Sequence, residues 1–107
     1  MYEIDIYNLE FINEILRQGI LKEIEEEFGS QVITSLYRIN DIGVHGTLPL
    51  RGVDLRSNKD QYDIERYIND NWIYDQTRPN RPVCKVHDVG QGKHIHLQTH
   101  PNTFKEV

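Results

Sequence analysis

The segment His94-Ile95-His96 sets two imidazoles two positions apart, and on a strand such side chains leave the backbone on the same face. Neutral imidazole and carboxylate are zinc ligands, and a hydrolytic zinc site keeps one coordination position open for water. Further donors lie upstream, at His45 and Asp54. His45, Asp54 and one histidine of the pair thus form a candidate metal site. The remaining histidine would sit near the open position, able to act as a base or to hold an anionic intermediate. The same residues also fit a plainer use as unrelated surface or core histidines, because His-x-His is a short pattern.

These side chains need a frame. Phe11, Ile12, Ile15, Leu16, Ile20, Ile24 and Phe28 recur at three- and four-residue steps, which predicts a helix over residues 9–28 with one apolar stripe. Asn8 is its expected N-cap and Gly29 its stop. Gly19 costs helix stability, a sign that another element approaches closely there. The acidic Glu23, Glu25, Glu26 and Glu27 are read as the wet face. Residues 31–39, rich in Val, Ile, Thr and Tyr, predict a strand, followed by a turn at 40–43 and a loop to 49. A second strand is expected over 52–56, with Val53 and Leu55 on one face and Asp54 on the other. Ser57 is the expected cap of a second helix, over 59–74, with Tyr62, Ile64, Tyr67, Ile68 and Trp72 on its apolar side. Two prolines and two arginines make 75–82 a loop. Strands at 83–87 and 94–99 should pair as an antiparallel hairpin, with a tail from Pro101. The fold class expected is α+β, a small antiparallel sheet with flanking helices.

A chain of 107 residues is expected to form a single domain, 1–107. Its formal charge of -5 gives no reason to expect a nucleic-acid partner. Arg78, Arg81, Lys85 and Lys93 lie in one region but are most economically solvated surface. Cys84, the single cysteine, is expected to be a buried thiol within an apolar alternation. The N-terminal Met1-Tyr2-Glu3-Ile4-Asp5 lacks the basic and apolar character of a signal peptide, and no run is long enough to span a membrane. The expectation is synthesis in the cytoplasm, with any work at the cell wall depending on another export route.

Three pieces in order carry a resemblance. Ile33-Thr34-Ser35-Leu36-Tyr37-Arg38, then His45 through Asp54-Leu55-Arg56, then His94-Ile95-His96 look like the zinc peptidase family that includes D-alanyl-D-alanine dipeptidases and carboxypeptidases, phage L-alanyl-D-glutamate endolysins, and the hedgehog signalling domain. The resemblance implies a hedgehog-like fold, with Zn2+ held by His45, Asp54 and His96. It makes His94 the candidate for the catalytic or metal-supporting role that a glutamate fills in other branches. Arg38 would steady substrate or a developing oxyanion. The implied activity is hydrolysis of an amide bond in a bacterial cell-wall peptide. The hedgehog branch implies the alternative of a non-catalytic zinc-binding domain that acts in partner binding.

The chain departs from the family pattern in two places. Eight residues separate His45 from Asp54, longer than the family's usual interval, and no Glu stands just before His96. A loop bulge at Gly46, Leu48 and Pro49 would let His45 still reach the metal. His87 can approach the site across the hairpin, but both it and His100 are read as solvent-facing.

Overall fold

A computed structural model describes residues 12–35, 49–88, 90 and 92–106 of the chain. A π-helical segment, Ile15–Ile20, runs directly into helix α1, Leu21–Phe28. The strands are β1 (Ile33–Ser35), β2 (Gly52–Arg56), β3 (Trp72–Ile73), β4 (Cys84–Asp88), β5 (Lys93–Gln98) and β6 (Phe104–Lys105), and helix α2 spans Gln61–Asn71. The main sheet has the order β1-β2-β5-β4, and β3 pairs with β6 in a separate two-stranded ladder. Every pairing among these strands is antiparallel. The architecture is a small α+β domain with a four-stranded antiparallel sheet and two helices.

Alternation along the strands divides the main sheet into two faces. Val53 and Leu55 of β2 and Ile95 and Leu97 of β5 are fully buried, in one cluster with Leu16, Ile20 and Ile24 of the first helix and Ile64 and Ile68 of α2. Cys84 belongs to the same core, and burial pushes its thiol far above its ordinary range. That thiol is structural, because the thiolate form is suppressed. With the apolar face sealed against helices, the polar residues of the same strands are held on the opposite face.

The first helix begins later than its stripe suggests. Ile12 forms a parallel bridge with Leu50, and Asn13 N–H donates to the Leu50 carbonyl at 2.8 Å. The Asn13 side chain then accepts from the backbone N–H groups of Ile15 and Leu16 at 3.0 and 3.3 Å. This is the capping role expected of Asn8, which lies outside the described residues. The wide turn ends where Leu21 N–H bonds back to the Leu16 carbonyl, five residues earlier. Gly29, at φ 86°, stops the helix as expected, its N–H bonding to the Glu25 carbonyl at 2.9 Å.

Gly19 does admit a neighbour. A Cβ there would lie 2.7 Å from Cη2 of Trp72. The indole N–H of Trp72 donates to Glu23 at 2.9 Å, and Glu23 also pairs with Lys105 at 2.8 Å. Glu23 therefore belongs to a polar contact at the edge of the core, not to the wet face. Trp72 leaves the second helix to enter β3, and the expected tail supplies its partner strand β6. The second helix is accordingly shorter than 59–74 at both ends, and Asn58, not Ser57, organises its start by accepting from Asp60 N–H at 2.9 Å. Tyr62 is exposed, so the apolar side of α2 narrows to Ile64, Ile68 and the partly buried Tyr67. Of the strand expected over 31–39, Ile33–Ser35 is formed, and 36–39 lie outside the described residues.

Candidate metal centre on the polar face of the sheet

Sheet register assembles the site. Asp54 of β2 lies opposite His96 of β5, and His87 of β4 lies opposite His94 of β5. Because residues two apart on a strand share a face, His94 and His96 point the same way, and the two neighbouring strands bring Asp54 and His87 onto that face. The register of β1 shifts between Ile33 and Ser35, so that Ser35 pairs with Asp54, and the Thr34 hydroxyl donates to the Asp54 carbonyl at 3.3 Å. Such a bulge at a sheet margin twists the strand next to the site.

Short polar contacts join Asp54, His87, His94 and His96. Asp54 Oδ1 is 2.8 Å from His96 Nδ1 and 3.7 Å from His94 Nε2. His87 Nε2 is 2.9 Å from His94 Nε2. The three histidines each offer a ring nitrogen, all within 4.8 Å of one another. Ligands about 2.0–2.1 Å from a tetrahedral zinc are separated by roughly 3.3 Å, inside this range. Asp54 is 4% exposed, and the three histidines are half-buried, so the group is sheltered without being sealed.

Gln98 and Asp54 flank the two ring nitrogens of His96. The Gln98 amide N–H donates to the Pro82 carbonyl at 2.8 Å, which turns its Oε1 toward His96 Nε2 at 3.2 Å. Asp54 Oδ1 stands 2.8 Å from the other ring nitrogen, Nδ1, so which nitrogen of the neutral ring carries hydrogen depends on the tautomer. The Asp54 contact has the length of a hydrogen bond, and a zinc ion held by both groups would spread them to roughly 3.3 Å. A ring whose far N–H is held by a fixed acceptor is the usual arrangement of a metal-ligating histidine. The donor set thus fits a divalent metal.

Burial lowers the pKa of His87 below the ordinary imidazole value, and nearby His94, His96 and Lys85 push in the same direction against the opposing pull of Asp54. His87 is therefore biased toward the neutral form that metal coordination or hydrogen-bond acceptance requires. Beside the histidines, the loop joining β3 to β4 borders a cavity of about 700 Å³ that reaches His87, His96 and Gln98. Asp75 holds the start of this loop. It accepts from the Thr77 backbone N–H and hydroxyl and from Arg78, and these bonds hold its carboxyl down at about 2.

Of the residues expected at the site, Asp54, His94 and His96 come together, while His45 and Arg38 lie outside the described residues. His87, read as solvent-facing, is instead part of the cluster. The signal for it was the hairpin itself, since pairing strands at 83–87 and 94–99 fixes what stands opposite His94. Gln98 was not picked out, although its place two residues beyond His96 assigns it to the same face. His100 lies elsewhere, its Nδ1 3.7 Å from Asp75 and its ring against Tyr74. Among the described residues no helix is long and apolar enough to cross a membrane. Comparisons with family models, curated proteins and solved structures gave no match to this chain.

Proposed function

We propose that this chain is a zinc-dependent peptidase that hydrolyses an amide bond in a bacterial cell-wall peptide. The observation that carries the reading is the cluster of His87, His94 and His96, whose ring nitrogens lie within 4.8 Å of one another beside the Asp54 carboxylate. Asp54 and His96 would be ligands, with His45 completing the set as the family resemblance implies. An antiparallel sheet carrying Asp54 opposite His96 supports a hedgehog-like fold.

Zinc held there would supply Lewis-acid activation of water and of the carbonyl it attacks. The chain's own residues do the rest. His94, whose Nε2 stands 3.7 Å from Asp54 and 2.9 Å from His87, takes up and returns the proton in place of the missing glutamate. His87 orients it. Gln98, tied to Pro82, steadies the orientation of the His96 ring. Arg38 would steady the developing oxyanion.

A second reading is a non-catalytic zinc domain, favoured by the number of donors available. Asp54 together with His87, His94 and His96 would fill four positions, and closed four-ligand sites are structural. Two variants separate the readings. In the peptidase, Asp54→Asn loses zinc and hydrolysis of purified cell-wall peptides together, whereas His94→Gln keeps equimolar zinc and loses hydrolysis. Loss of zinc from both variants, with no cleavage by the wild type, would favour the structural site.

A further inference from the structure

The cavity beside the histidines has a basic wall. Arg78 and Arg81 border it from the loop, and Lys85 borders it from β4, directly opposite His96 in the sheet register. No carboxylate among the described residues lines it, although the chain as a whole carries a formal charge of -5. The positive sign of this wall is therefore a local arrangement and not the average character of the surface.

Part of the wall is held in place. Arg78 donates to Asp75 through Nε and Nη2 at 3.1 and 3.0 Å, and both arginine heads lie near the Tyr74 ring, at 5.5 and 5.8 Å from its centre. Asp75 neutralises Arg78 but not Arg81 or Lys85, for which no ion pair is present among the described residues. Two uncompensated cations thus face a cavity that ends at a candidate hydrolytic centre. Arg81, held near the Tyr74 ring, is the better ordered of the two, and an ordered donor binds an anion at a smaller entropic cost than a mobile one.

We propose that Arg81 and Lys85 form a carboxylate-binding subsite that selects acidic peptides and sets their backbone against the histidine cluster. The proposal rests on the peptidase reading for its substrate class, but the subsite itself is made of residues outside the metal centre. Its ligand is a peptide carrying a side-chain or terminal carboxylate a few atoms from the bond presented to Asp54, His94 and His96.

The test is binding of acetylated tripeptides of Ala and Gly that contain either Glu or Gln, each with a free or an amidated C-terminus. Calorimetry would be run on full-length wild type, Arg81→Gln, Lys85→Gln and the double variant, with zinc content and circular dichroism recorded for each. Both positions are exposed, so the variants should fold and keep the wild-type zinc content. Wild type should prefer acidic peptides, and each substitution should weaken that binding roughly tenfold while leaving the neutral peptides unchanged. Equal binding of acidic and neutral peptides, no binding of either, or a preference untouched by the double variant would overturn the subsite. A protein that shows the acidic preference without holding zinc would keep the subsite and refute the peptidase reading instead.

Discussion

The contact between Gly19 and Trp72 makes a quantitative prediction. A methyl group at residue 19 would stand 2.7 Å from Cη2 and 3.0 Å from Cζ2 of the indole, whereas carbon atoms rest at about 3.5–4.0 Å. The ring must withdraw by roughly 1 Å, yet it is tied at 2.9 Å to Glu23, and its backbone is paired with β6. Overpacking of this kind costs about 1–3 kcal/mol. Straining the indole bond to a carboxylate adds to that cost, while replacing glycine by alanine in a helix returns about 1 kcal/mol. Gly19→Ala should therefore destabilise by about 1–3 kcal/mol and lower Tm by roughly 5 °C or more. Thermal unfolding by circular dichroism measures it. In a Trp72→Phe background, where the clashing ring is gone, the same substitution should be neutral or stabilising. A rise in Tm for Gly19→Ala alone would refute the packing argument.

Other outcomes follow from the same structure. Gln98→Ala removes a hydrogen-bond partner of the His96 ring and should weaken zinc binding by about 10–100-fold with the fold intact, as read by competition with a chelating dye. His87 has a folded-state pKa below its unfolded value, so it disfavours the folded state only as pH drops below the ordinary imidazole value of about 6.5, and contributes nothing above it. Metal-free wild type should consequently lose stability in mild acid more steeply than His87→Gln, a difference visible in denaturant midpoints across pH. Asp75 behaves in the opposite sense. Its carboxyl, held at about 2, contributes stability fully present above about 4 and lost as pH falls toward the folded value. Asp75→Asn should flatten that part of the acid profile.

The site was legible wherever side-chain alternation was strict. In β2 the expected bounds were the observed ones, and placing Asp54 opposite in face to Val53 and Leu55 followed from the strand period alone. The hairpin likewise set His94 and His96 on one face. His87 can be expected to approach the site across that hairpin but is read as solvent-facing, the commoner use of a strand histidine; the hairpin register instead places it opposite His94. Errors elsewhere came from tertiary contacts that local pattern does not encode. Ile12 fits the helical stripe but bridges Leu50, and Trp72 fits the end of a helix but pairs with Lys105. The strand at Phe104–Lys105 is too short for any periodicity to announce it. Gly19 was the useful exception, since a glycine in mid-helix signals a close neighbour even when that neighbour is distant in sequence.

The central claim is that Asp54 and His96 are ligands of one metal ion, and metal content tests it most directly. Protein purified without a histidine tag, wild type and His96→Ala in parallel, would be supplied with zinc, desalted and analysed for bound metal. The account predicts equimolar zinc in wild type and its loss in His96→Ala. Wild type that holds no zinc after it is added back, or a His96→Ala protein that retains it in full, would contradict the account.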